Sequence, residues 1–226
     1  LIQYRKFDTE EALLASFHKF WCANRPDIVT GLNSRFFDIP YLINRIARIG
    51  TIEAVKRLSP WNMVNERNTE ITGRTQYGYE IVGIQQADYL ELFKKFGYSY
   101  GAQESYKLDH IAHVVLGEKK LSYEEHGNLY TLYKEDHQKF IDYNIKDVQL
   151  VNRIEEKMGL IQLAQTMAYR GGVNLQDTFG TTAIWDSIIY RELNKKKSAI
   201  PPNYEKIKNP YPGGYVKEPQ VGLHDW

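Results

Sequence analysis

Cysteine, long apolar runs, net charge and early proline are all scarce in this 226-residue chain, and each scarcity excludes something. The single cysteine, Cys22, cannot form an internal disulfide, so a reducing compartment fits best. No apolar run approaches the roughly 20 residues of a membrane span, and Leu1-Ile2-Gln3-Tyr4-Arg5-Lys6 lacks the plan of a signal peptide, so no membrane partner is expected. Lys plus Arg number 29 against 28 Asp plus Glu, which leaves no overall positive field; any polyanion must be held by local features. Three of the eight prolines, Pro26, Pro40 and Pro60, precede residue 200. The other five fall in the stretch from Arg191 to Trp226, where seven basic residues face four acidic ones. That basic, Pro-rich end reads as an extended linker. What is plentiful is ordinary: 42% hydrophobic and 25% charged residues, the proportions of a globular protein with a sizeable core.

Periodicity predicts a helix from Asp8 to Asn24, with Leu13, Phe17, Phe20 and Trp21 at helical spacing and Asp8 as its cap. Ile28-Val29 centres a short buried strand, Thr30 to Phe37 is a turn-rich loop, and Ile39 to Ile49 is a second helix with Pro40 in its first turn. Residues 62–84 read as a long β-hairpin turning at Thr72-Gly73-Arg74, protruding because its composition is charged. Further strand is expected at Tyr89 to Phe93, and helix over Lys107 to Leu116, Tyr130 to Met158 and, more loosely, Gln162 to Lys195. Strands separated by helices make an α/β domain.

Two places carry candidate chemistry. Tyr143 and Asp147 stand four apart on a predicted helix, so both project from one face. A carboxylate beside a phenol is suited to binding a metal and positioning its water, although the same pair is also common as a half-buried ring and a solvated acid. Asp38 follows a strand and a loop and precedes a helix, which equally describes an N-cap. Together, a carboxylate at a strand-to-helix loop and a later Tyr-Asp pair are half of a four-carboxylate, two-metal centre. Lys195-Lys196-Lys197 reads as a solvated helix end, and the six histidines show no zinc-ligand spacing with cysteine.

These residues resemble family B DNA polymerases. Asn33 to Asp38 is similar to the family's second exonuclease motif, and Tyr143 to Asp147 to its third. Ser105 to Ala112 and Leu116 to Lys120 resemble the segment linking them, and Tyr211-Pro212-Gly213-Gly214 its Tyr-x-Gly-Gly motif. Within the family, the hairpin at 62–84, the run Asp88 to Phe96 and Trp185 to Ile189 resemble the enzymes of T-even-like bacteriophages.

The resemblance implies a ribonuclease-H-like α/β exonuclease fold with a long hairpin insertion and a C-terminal helical and extended connector. Residues 1–158 would be the later part of the 3′–5′ exonuclease domain, and 159–226 the connector towards the palm. It implies removal of mismatched 3′ nucleotides, with Asp38 and Asp147 holding Mg²⁺ or Mn²⁺ and Tyr143 orienting water. Asn33 and Phe37 would touch the single-stranded primer end, and Tyr211, Gly213 and Gly214 the DNA backbone. Single-stranded DNA, primer-template 3′ ends and the remaining polymerase segments, in the same or a separate polypeptide, would be the partners, in the cytoplasm of an infected bacterium. The family's first motif is Asp-x-Glu on a strand; Asp8-Thr9-Glu10 matches it in letters but opens an amphipathic helix. The first strands and half of the metal ligands are therefore expected to be absent, leaving the chain inactive alone. No Asp-x-x-Ser-Leu-Tyr-Pro or Tyr-Gly-Asp-Thr-Asp is present, so no polymerase centre is expected. The rival is a non-catalytic single-stranded-DNA-binding or scaffold subunit that completes a divided polymerase.

Overall fold

The structure is a computed structural model that describes residues 2–71, 74–122 and 124–200, with 214, 217 and 222. The chain forms two compact units, Leu1–Ile189 and Tyr190–Trp226. The first holds Asn33, Phe37, Asp38, Tyr143 and Asp147.

Helix α1 (Glu10–Asn24) starts at Thr9, whose hydroxyl accepts the Ala12 N–H at 3.2 Å, and Glu10 and Glu11 favour its first turn. Thr9, not Asp8, is thus the cap, and Asp8-Thr9-Glu10 opens a helix rather than lying in a strand. Strand β1 (Ile28–Gly31) pairs in parallel with β4 (Gln85–Asp88), in the register Ile28 with Gln85 and Gly31 with Asp88. Between them come α2 (Asp38–Ile49), α3 (Ile52–Lys56) and the antiparallel pair β2 (Val64–Ile71) and β3 (Arg74–Ile81).

The expected strand at Tyr89 to Phe93 is instead helix α4 (Tyr89–Phe96). Its aromatic and leucine-rich run looked β-prone, but Tyr89, Leu92, Phe93 and Phe96 recur at helical spacing and all are buried. Asp88 ahead of the run caps it, accepting the Leu90 N–H at 2.9 Å. Next come α5 (Leu108–Leu116), α6 (Leu129–Glu135) and α7 (His137–Met158). The single helix expected over Tyr130 to Met158 is broken at Asp136, whose side chain caps α7 through Lys139 N–H at 2.9 Å. The looser segment resolves into α8 (Leu160–Gly171), a 3₁₀ turn (Leu175–Phe179) and α9 (Thr182–Lys195).

The β1–β4 pair lies between two apolar clusters. Ile28 and Leu32 pack with Ala87, α4, α5, α7 and α8, around Phe93, Ile111, Leu150 and Ile154. Val29 packs on the opposite side, with Trp21, Ile39, Ile43, Leu58 and Ile81. Ile28 and Val29 alternate between the two clusters, the period-two pattern of a strand, but both are half-buried and Thr30 is exposed, so the strand expected to be buried is only partly covered. Among the described residues the hairpin enters the second cluster at its base, through Val64, Tyr79 and Ile81; Glu66, Arg67, Asn68 and Tyr77 are exposed. Thr72 and Gly73 lie outside the described residues, as does most of the extended linker expected between Arg191 and Trp226, whose first residues belong to α9.

Candidate active site

The loop after β1 leaves the carboxyl ends of two parallel strands, the edge of an α/β sheet where functional loops gather. Asn33 takes a left-handed backbone, φ 65°, and the chain then closes into α2 through Phe37 N–H to Asn33 O at 3.1 Å and Ile39 N–H to Ser34 O at 2.9 Å. The N-cap position belongs to Phe37, with no side-chain cap bond, so Asp38 is the first helical residue and is not used as a cap. The side chains of Asn33 and Asp38 are exposed, and Phe37 is 66% exposed, a large apolar ring left to solvent. Surrounding protein raises the pKa of Asp38, chiefly by desolvation; its own backbone N–H opposes this, and the negative charge of Asp88 adds to it.

The second group lies on α7. Tyr143 and Asp147 do share one face, and a single cation reaches both: the Lys120 ammonium donates to Asp147 Oδ2 at 2.7 Å and to the Tyr143 hydroxyl at 2.9 Å. The same ammonium sits 5.0 Å from the Tyr143 ring centroid, within cation–π range. Gly117 ends α5 at φ 75°, the left-handed conformation glycine adopts without cost, and so turns the chain back towards α7. Asp109 then fixes Lys120 by accepting its backbone N–H at 2.7 Å. Glu118 adds ion pairs to Lys146, at 2.8 Å, and to Arg153. Burial is the largest single influence on Lys120 and works against its charge, yet the bonds to Asp147 and Tyr143 outweigh it and raise its pKa. Asp147 Oδ1 is buried and has no hydrogen-bond partner.

That orphaned anionic oxygen is what a hard divalent cation requires. Among the described residues, however, no three His, Cys, Asp or Glu side chains group closely enough to hold a metal. Of the expected DNA contacts, Asn33 and Phe37 are presented on one loop. Gly214, in the second unit, is exposed and has nothing within 4 Å of a Cβ built on it. Tyr211 and Gly213 lie outside the described residues.

Residues 3–111 match the exonuclease domain of DNA polymerase family B. The chain is 38% identical over 218 residues to the DNA-directed DNA polymerase of Escherichia phage RB69, and 32% over 217 to that of Enterobacteria phage T4. It is similar over residues 3–111 to the exonuclease domain, and over nearly its whole length to part of the polymerase, of this family. Both phage alignments cover 96% of this chain and 24% of the relative, and DNA polymerase II of Escherichia coli K12 is 26% identical over 91% of the chain and 26% of that protein. The chain thus spans about a quarter of the length of the curated relatives it matches. The family B exonuclease domain carries a ribonuclease-H-like fold, in keeping with the mixed, helix-rich α/β architecture and small sheets seen here.

Two residues escape the sequence reading as members of the site. Lys120 is 23 and 27 positions from its partners, and no helical or strand period links such distances. Asp88 was hidden by the misread strand; Asp88-Tyr89-Leu90-Glu91 is the Asp-x-x-Glu signature of a helix start, and would have revealed the cap.

Proposed function

We propose that this chain supplies part of a proofreading 3′–5′ exonuclease, hydrolysing the 3′-terminal phosphodiester of a frayed primer. The observation that carries the reading is the Lys120-bound pair of Tyr143 and Asp147, with one carboxylate oxygen buried and unpartnered, in a chain similar to this family. Asp38, uncommitted to capping at the head of α2, is the second carboxylate of the proposed centre.

Asp38 and Asp147 would hold Mg²⁺ or Mn²⁺, with further carboxylates from an Asp-x-Glu strand elsewhere in the polymerase. Such metals, when bound, polarise water for attack on phosphorus and stabilise charge on the departing 3′ oxygen. The Tyr143 hydroxyl, steadied by Lys120, orients the attacking water by hydrogen bonding. Phe37 stacks on or wedges against the terminal base, and Asn33 contacts the strand beside it. The P–O3′ bond breaks as the water oxygen bonds to phosphorus, releasing a 5′-mononucleotide and a shortened strand with a free 3′ hydroxyl. The hairpin, an insertion of this phage-like type, helps part primer from template. Residues 159–226 lead towards the palm, with Tyr211, Gly213 and Gly214 against the DNA backbone. Among the described residues no helix is long and apolar enough to cross a membrane, and the partners proposed are DNA and the other polymerase segments.

The test joins this chain to an upstream Asp-x-Glu segment, in one polypeptide or as two. Mg²⁺-dependent degradation of single-stranded DNA should appear on joining, vanish in Asp147→Ala and fall in Tyr143→Phe. DNA binding without degradation in the joined protein would replace this reading with a non-catalytic binding or scaffold subunit. Robust nuclease activity of the 226 residues alone, abolished by Asp8→Ala, would show that Asp8-Thr9-Glu10 had been misassigned.

A further inference from the structure

The loop from residue 32 to 37, which carries Asn33 and Phe37 and leads into Asp38, is only six residues long and makes a left-handed step at its second residue, Asn33, so something must hold it. Asp88 does so. It is the last residue of β4, beside Gly31 at the end of β1, and it is 1% exposed. Its Oδ1 accepts the Asn33 N–H at 3.0 Å and the Leu90 N–H at 2.9 Å, and its Oδ2 accepts the Arg35 N–H at 2.9 Å. A buried carboxylate is costly unless satisfied, and hydrogen bonds to an ionised acceptor are about twice as strong as neutral ones. One side chain therefore ties the start of α4 to alternate amides of the loop, and with them the left-handed turn at Asn33. Arg35 reinforces the link: its guanidinium donates to both Glu91 oxygens at 3.0 Å, one turn into the helix that Asp88 caps. It also lies 5.1 Å from the Phe36 ring centroid.

We infer that Asp88 is a positioning residue for recognition of the 3′ end: through its two loop bonds it sets the backbone that aims Asn33 and Phe37 at single-stranded DNA. The inference rests on the exonuclease reading above and adds to it a residue that touches neither DNA nor metal. It distinguishes two jobs of one carboxylate. Capping α4 needs only the Leu90 bond, which Ser or Asn also provides at such a position. Holding the loop needs both oxygens and their reach, which Ser lacks and Asn offers only in part, because its amide would face the Arg35 N–H with another donor.

The experiment measures binding of a fluorescein-labelled single-stranded oligonucleotide to the 226-residue chain by anisotropy, in Ca²⁺ buffer. The variants are Asn33→Ala, Phe37→Ala, Asp88→Asn, Asp88→Ser and the Asn33→Ala/Asp88→Ser double variant, with circular dichroism confirming helix content. Asp88→Ser should weaken binding roughly tenfold, the scale of a lost charge-assisted hydrogen bond, and Asp88→Asn by less. The double variant should bind about as weakly as the weaker single one, because both changes disable the same loop. Folded Asp88→Ser that binds like wild type, or a double variant whose losses multiply, overturns the inference while leaving the exonuclease reading intact. If Asp88→Ser does not fold, Asp88→Asn carries the same decision. Wild-type binding indifferent to both Asn33 and Phe37 overturns the exonuclease reading, and the inference with it.

Discussion

Replacing Lys120 with Met keeps an unbranched apolar side chain as far as Cε and removes the ammonium, so it tests what that cation contributes. In the native chain the ammonium bonds Asp147 at 2.7 Å and Tyr143 at 2.9 Å, with the Lys120 and Asp147 side chains 23% and 27% exposed. Exposed ion pairs contribute ~0.2–1 kcal/mol, whereas removing one partner of a fully buried pair costs ~3–5 kcal/mol. A pair about three-quarters covered falls between, and hydrogen bonds to charged groups run to ~1.5–3 kcal/mol. Lys120→Met should therefore cost about 2 kcal/mol, or about 4–8 °C in Tm for a chain of this size. Urea denaturation of wild type, Lys120→Met, Asp147→Asn and the double variant gives the coupling, expected at about 1–2 kcal/mol. Because the folded-state pKa of Lys120 is raised, its contribution is complete below the ordinary lysine range. It is lost as pH rises through the raised value, so the wild-type advantage should shrink only above about pH 10.4. A coupling below about 0.5 kcal/mol at neutral pH would place the pair with ordinary surface contacts and remove the case that Lys120 orders the site.

Two further outcomes follow from the loop and the hairpin. Asp38 should titrate above the usual carboxylate range by carbon-detected NMR, and Asp88→Asn, which removes a neighbouring negative charge, should bring it down. With a raised folded-state pKa, the stabilising effect of protonating Asp38 is present below the unfolded value of about 3.9 and disappears as pH rises through the folded one. Removing residues 68–77 and closing the hairpin at the Arg67–Gly78 pair should spare the core, since Tyr79 and Ile81 remain. In a complete enzyme this deletion should slow excision from duplex ends more than from single strands, and equal losses would deny the hairpin a part in strand separation.

Local chemistry made much of this legible in the sequence. The spacing of Tyr143 and Asp147 fixed their common face, and the acids after Asp8 marked a helix start, because both depend only on residues within one or two turns. The error at Tyr89 to Phe93 came from weighing aromatic β-propensity above period: four buried residues at helical spacing, behind a capping acid, outweigh it. Asp136 was missed as a break because a capping Asp between two helical patterns leaves the apolar rhythm almost undisturbed. Lys120 and Asp88 lay further out of reach, since their roles depend on segments brought together by tertiary packing. The contacts span 23 to 55 residues, and no local rule selects one Lys among the chain's basic residues or one Asp among its acids.

What the structure adds is a way to tell the acids apart by the use of their lone pairs. Asp88 accepts three backbone N–H groups and is buried, which commits it to architecture. Asp109 and Asp136 each accept a backbone N–H and order a turn or a helix start. Asp38 makes no cap bond although it stands at the head of a helix, and Asp147 gives one oxygen to a lysine while the other is buried without a partner. A buried carboxylate oxygen without a partner is a cost that folding alone does not explain, and a bound cation is the ordinary way to offset it. By that criterion Asp147 is the strongest candidate metal ligand in the described chain. Asp38 is exposed and takes no part in capping, and Asp88 holds the loop that leads to it.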